Sequence, residues 1–192
     1  MHVFPVETAR LRMRPIVAAD AALYEHLYTD AATMRFIGAP LAAERAARSF
    51  RVALAGMQAV PIERLFLTVV EKATQADVGI FSLQNFDAVN RSVQAGVMLI
   101  EPARARGYAK EAFAGLIQQA FAHLPVDELW VQFATDHVAV QRGVLSVGFA
   151  RRSSVAAPAG TCQRNEQNDG QRNAWSVHRD SWSPPSVSRN ER

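Results

Sequence analysis

Apolar and polar positions along the chain change their period several times, and each change marks an element. "RLRMRPI" (10–16) alternates basic with apolar and predicts a half-exposed strand. From Ala18 to Tyr28 the period lengthens: Leu23, His26 and Leu27 fall at helical spacing, with Asp20 near the start. "ATMRFIG" (32–38) reads as a short helical turn stopped by Gly38 and Pro40, and 41–57 as a second amphipathic helix. Three β-rich runs follow, 64–72, 77–86 and 92–101, separated by short polar linkers. That spacing predicts an antiparallel meander.

A helix is predicted over Ala109–His123, with Phe113, Leu116, Ile117, Ala120 and Phe121 on one face. "ELWVQFA" (128–134) reads as a strand, 138–147 as a short helix stopped at Gly148, and "FARRSSV" as a further strand. Residues 158–173 are polar and turn-rich, a long connection to a last strand over 174–182. The final ten residues look like a disordered tail. The expected architecture is one α/β (α+β) domain over 1–182, in the order β-α-α-βββ-α-β-α-ββ. No internal repeat interrupts it.

Bulk properties narrow the function by exclusion. The chain has 192 residues, enough for one real core, and a formal net charge of +3. Basic and acidic residues balance over 1–150, so the small excess lies in 151–192. A concentrated basic face of the kind nucleic acid requires is not expected. The single cysteine, Cys162, rules out an internal disulfide framework and a cysteine-cluster metal site. It fits a reducing cytosol. The N-terminus has no apolar signal core and no run reaches membrane-spanning length, so the expectation is a soluble cytoplasmic protein.

One stretch carries chemistry: "MLIEPARARGYAKEAF" (98–113), a basic, glycine-punctuated junction between a strand and a helix. A helix N-terminus offers unpaired N–H groups and the positive end of the dipole to an anion. Gly107 permits positive φ or close approach of a ligand to the backbone. Arg104, Arg106 and Lys110 add charge suited to phosphate. The stretch has neither the spacing of a P-loop nor that of a dinucleotide site.

"RARGYA" resembles the Arg/Gln-x-x-Gly-x-Gly/Ala signature of the GNAT superfamily of acyl-CoA-dependent N-acetyltransferases, with Arg104, Gly107 and Ala109 in the defining places. The opening, "ETARLRMRPIVAADAALYEHLYTDAATMRFIG", is similar to that of the subfamily containing the ribosomal-protein N-terminal acetyltransferases. So are "VGF" at 147–149 and the closing "NDGQRNAWSVHRDSW". The pieces run in order from about Glu7 to Trp182.

The resemblance implies a mostly antiparallel mixed sheet, splayed at the coenzyme-binding strand and flanked by about four helices. It implies acetyl-CoA as cosubstrate, with no metal. The pyrophosphate would meet backbone N–H groups of Arg104, Ala105, Arg106, Gly107, Tyr108 and Ala109, with Lys110 just beyond. The pantetheine would lie along the strand edge at Val97, Met98, Leu99 and Ile100. Tyr108 would cover the phosphates or simply pack, Arg142 would reach them or stay solvated, and Glu101 borders the cradle.

Transfer to an amine needs a group that removes the ammonium proton, donors for the tetrahedral oxyanion and an acid for the departing thiolate. Relatives commonly carry Asn-x-x-Ser after the fifth sheet strand; here His137 and Val140 occupy those places. Gln94 stands where relatives often carry Glu. Either His137, helped by Asp136, takes over proton transfer, because imidazole titrates near neutral pH; or Asp136 and His137 cap a helix; or catalysis has weakened.

His26 and His123 lack partners at metal spacing and read as structural. Trp130, Trp175 and Trp182 are expected on strands, packing the sheet. The expected activity is acetyl transfer to the α-amine of a protein N-terminus or to a small-molecule amine. The alternative is a non-catalytic acyl-CoA-binding or regulatory module. The expected assembly is a monomer or homodimer.

Overall fold

A computed structural model describes residues 4–59, 63–152 and 172–184. Cys162, most of the 158–173 connection, and residues 185–192 of the expected tail lie outside the described residues.

The strand rule that side chains alternate across a sheet accounts for the first hairpin. β1 (Val6–Glu7) pairs antiparallel with β2 (Leu11–Pro15), where Leu11 and Met13 are buried on one face while Arg12 and Arg14 lie half-buried on the other. A 3-10 turn at Ala18–Asp20 leads into α1 (Ala21–Thr29), followed by α2 (Ala31–Met34) and α3 (Ala43–Gly56). Asp30 caps α2 by accepting from the Thr33 N–H at 2.8 Å, a favoured N-cap arrangement.

β3 (Leu65–Glu71), β4 (Asp77–Asp87) and β5 (Ser92–Leu99) form the expected meander. Every residue of β3 is buried, as a strand covered on both faces requires. α4 (Tyr108–His123) follows, then β6 (Glu128–Ala134), α5 (Val138–Leu145), β7 (Ala150–Arg151) and β8 (Arg172–His178). The sheet order is β1-β2-β3-β4-β5-β6-β8-β7. Among the described residues its one parallel pair is β5 with β6, and a parallel pair needs the crossover that α4 supplies.

The two faces carry separate cores. α4 buries Phe113, Leu116, Ile117, Ala120 and Phe121 against Met13, Leu67, Phe81 and Leu129, and α5 adds Val144 on that side. On the other face Tyr24, Leu27, Phe50 and Ala53 of α1 and α3 pack over Phe66 and Ile80. Each large side chain buried in this way contributes about 1.5–3 kcal/mol of transfer free energy.

Three expectations change. The two-residue strand β1 escapes the periodicity because it is shorter than any repeat. The strand expected over 92–101 ends at Leu99, because Pro102 cannot donate and Glu101–Ala103 coil into a 3-10 turn. Trp182 is not on a strand: β8 stops at His178, a 3-10 turn spans Arg179–Ser181, and the Trp182 indole N–H donates to the Val147 carbonyl at 3.1 Å.

Candidate active site

β5 and β6 pair only over Ser92–Gln94 and Glu128–Trp130. Beyond that, β5 stays with β4 as far as Leu99 opposite Gly79, while β6 stays with β8 as far as Ala134. Each strand follows its antiparallel neighbour, so a wedge opens between Ala95–Leu99 and Val131–Ala134. The edge of β5 that faces it has no strand partner among the described residues. Val97 and Ile100 are half-buried against the α4-side core, and Met98 and Ile100 against the other.

At the wide end of the wedge the chain turns through Glu101–Arg104 into α4. Ala105 (φ 59°) and Gly107 (φ 78°) both adopt the left-handed region. Glycine enters that region freely; alanine does so at a cost of about 1–3 kcal/mol, which the surrounding contacts must hold in place. Alternating handedness of this kind turns successive N–H groups toward one concavity, an anion-binding nest. Among the described residues, the N–H groups of Ala105 through Lys110 have no hydrogen-bond acceptor, the first intrahelical bond being Glu111 N–H to the Gly107 carbonyl. Six donors without acceptors thus lie at or just before the positive end of a 16-residue helix.

The side chains around this loop divide between ligand and scaffold. Arg104 turns inward: its Nε donates to the Leu99 carbonyl at 3.1 Å and its Nη2 to the Thr33 hydroxyl at 2.5 Å, with Asp30 at 3.5 Å. Arg106 pairs with Glu71 at 2.6 Å. Tyr108 is buried, 2 % exposed, and its hydroxyl donates to the same Glu71 carboxylate. The ring packs in the α4-side core, and the Tyr108 backbone N–H is left without an acceptor among the described residues. Sequence left packing and covering both open; the ring's burial and its hydroxyl's bond to Glu71 fit packing.

The Tyr108 hydroxyl, with Thr74 and Arg106, holds the Glu71 carboxyl below its ordinary range, and Glu71 in turn pushes the Tyr108 phenol up. The guanidinium groups of Arg10 and Arg106 both lie over the Tyr108 ring, at 4.7 and 4.6 Å. Arg10 also pairs with Glu111 at 2.6 Å and donates to the Arg106 carbonyl at 3.0 Å. Glu71 and Glu111 are site residues that sequence reasoning missed, because their partners lie 35 and 101 positions away. Lys110 and Arg142 are exposed.

At the end of β6, Asp136 is exposed and His137 half-buried. His137 is the N-cap residue of α5, yet no side chain bonds to that helix start, so the capping option finds no hydrogen bond here. Burial lowers the imidazole's pKa, and the nearby Asp136 only partly opposes it. Val140 packs against the α4-side core. On the α1–α3 face of the sheet, Gln94 accepts from the Asn85 amide at 2.6 Å, and Ser82 lies opposite Gly96 and accepts from Gln84 at 3.1 Å. Trp130 and Trp175 are buried within β6 and β8, and His26 and His123 are exposed helical residues. Among the described residues no three His, Cys, Asp or Glu side chains are placed to hold a metal, and no helix is long and apolar enough to cross a membrane.

This architecture has counterparts among solved structures. A RimL ribosomal L7/L12 alpha-N-protein acetyltransferase in complex with coenzyme A superposes with a TM-score of 0.74 at 12% identity, over 91% of this chain and 98% of that one. A spermidine N-acetyltransferase from Vibrio cholerae, in complex with CoA and spermine, gives 0.72 at 11% identity over 90% and 97%. An acetyltransferase from Agrobacterium tumefaciens gives 0.72 at 19% identity over 93% and 96%. Identities this low speak for the fold. No curated protein matches the chain by sequence. The Acetyltransferase (GNAT) domain family, however, matches residues 10–150. That match takes in most of the chain, from the first arginine beside β2 to the start of β7, and the chain therefore belongs to the GNAT family of acetyl-CoA-dependent acetyltransferases.

Proposed function

We propose that acetyl-CoA occupies the wedge, its pantetheine along the free edge of β5 from Val97 to Ile100 and its pyrophosphate in the nest of N–H groups from Ala105 to Lys110, the Arg104 N–H being taken up by the Glu101 carbonyl at 3.0 Å. The observation that carries this reading is the coincidence of an unpaired strand edge with six unpaired N–H groups at its end. Two electrically neutral functions, a peptide-like arm and backbone donors, are thereby matched to a ligand with an amide-bearing arm and an anionic head. Lys110 is free to add charge there, whereas Arg104 and Arg106 serve mainly to shape the loop.

The acceptor is a primary amine entering from the α1–α3 face. The wall it meets around Gln94 carries Ser82, Gln84 and Asn85, amides and a hydroxyl rather than carboxylates. Such a wall suits the α-amine of a peptide better than a polycation, which needs opposite charge to replace its hydration. His137 takes one proton from the ammonium. The amine nitrogen then bonds to the thioester carbon, the C–S bond breaks, and the second nitrogen proton ends on the departing sulfur as the thiol. An imidazole held below its ordinary pKa is uncharged at neutral pH and free to accept that first proton.

Calorimetry with coenzyme A tests the cradle. Thiol release from acetyl-CoA, measured with an uncharged-side-chain peptide and with spermidine, tests the acceptor class. His137→Ala lowers kcat by roughly 10²–10⁴-fold while the KM for acetyl-CoA stays within a few-fold. An unchanged kcat removes His137 from the mechanism, and faster turnover of spermidine overturns the peptide assignment.

A further inference from the structure

The two helical layers of the protein meet in one place at the mouth of the wedge. Phe36 comes from the turn after α2, on the layer of α1 and α3. His137 stands at the start of α5, on the layer of α4. Their rings stack with centroids 4.0 Å apart and planes 29° apart. Arg104 ties the lip of β5 to Thr33, three residues before Phe36, and His137 lies three residues beyond the end of β6 at Ala134. The stack therefore spans the two lips of the opening.

Among the described residues, the imidazole of His137 has no hydrogen-bond partner. Nothing polar sets the angle of the ring, and a torsion to an sp² ring is intrinsically broad. Among the described residues, the ring contact recorded for the imidazole is with the Phe36 face. Two charged groups stand close: Asp136 beside the imidazole, and Arg35, whose guanidinium lies over the Phe36 ring at 5.0 Å. Asp136 and the π face both favour the imidazolium. Removal from water disfavours it and is the larger influence.

We propose that Phe36 is a positioning residue: its ring seats the His137 imidazole at the mouth of the wedge and shields it from water. This rests on the proton-transfer role given to His137 above. The seating explains how a loop histidine without a hydrogen-bonded orienter presents one ring edge to the cleft. It also couples the acceptor-side segment 31–38 to the proton acceptor, so that an acceptor which displaces Phe36 changes the basicity of the group it needs.

The test follows the His137 Cε1 proton by NMR through a pH titration of the wild-type protein, Phe36→Ala and Phe36→Tyr. In Phe36→Ala the midpoint moves up, by roughly half a unit or more, toward the value near 6.5 of a free imidazole. Phe36→Tyr, which keeps the aromatic face, retains the wild-type midpoint. The acid limb of kcat shifts with the midpoint in each variant. Phe36 is half-exposed, so its removal leaves both cores intact, and a thermal melt of each variant verifies that. A midpoint in Phe36→Ala equal to wild type overturns the inference. Failure of the underlying reading looks different: His137→Ala then leaves kcat unchanged, whatever the titrations show.

Discussion

Gly107 shows how much one position can decide. Its φ of 78° sets the turn from which the following unpaired N–H groups continue into α4, and an added Cβ there would meet only the Arg10 guanidinium at 3.5 Å. Space is therefore not the obstacle to substitution; backbone conformation is. Gly107→Ala is expected to cost about 1 kcal/mol of stability, and to raise the KM for acetyl-CoA several-fold with kcat little changed. Denaturant melts and steady-state kinetics check the two effects separately. A loss confined to kcat would place Gly107 elsewhere in the chemistry. The residue scale is also where the family signature is legible: Arg104, Gly107 and Ala109 are spaced as the loop requires. What the Arg104 side chain does was not legible, because Thr33 lies 71 residues away.

Among elements, the junction of β2 with α1 depends on a buried carboxylate. Asp20 is 3 % exposed and accepts from both Arg14 Nη atoms at 2.8 Å, from the Val17 N–H at 2.8 Å and from the Thr68 hydroxyl at 2.9 Å. Burial pushes its pKa up, but the Arg14 hydrogen bonds, with those from Val17 and Thr68, outweigh burial and leave it lowered. A carboxylate whose folded pKa is depressed stabilises the protein fully above its unfolded value, near 4, and loses that contribution as the pH falls through the folded value. Asp20→Asn is expected to cost about 2–3 kcal/mol at pH 7 and to flatten the decline of stability below pH 4, as read in urea melts against pH. Sequence placed Asp20 at the helix start correctly. It gave no sign that the same carboxylate also reaches Thr68 in β3, since a strand rule describes the two faces of a segment and not what packs on them.

At the scale of the whole molecule, the edge of β5 beyond Gln94 has no strand partner among the described residues. Filling the wedge with coenzyme A stabilises the folded state by mass action: about 2.7 kcal/mol at a ligand concentration of 100 Kd. For a chain of this size that raises Tm by roughly 5–10 °C. A melt with and without coenzyme A checks it, and no shift at saturating ligand would argue against the cradle. The shift should shrink as ionic strength rises, because phosphate binding is screened.

The order of the longer strands and helices, the helix face of α4 and the glycine-marked loop were determined by the sequence alone, because each depends on residues within a turn or two of one another. Period, cap and glycine are local, and local preferences survive into the fold. The length of the wedge, the burial of Tyr108, the carboxylates that hold the loop and the stacking of Phe36 on His137 were decided only in three dimensions. Each joins residues from distant elements, and which of them meet follows from how β5 and β6 part and how the two helical layers close over the opening.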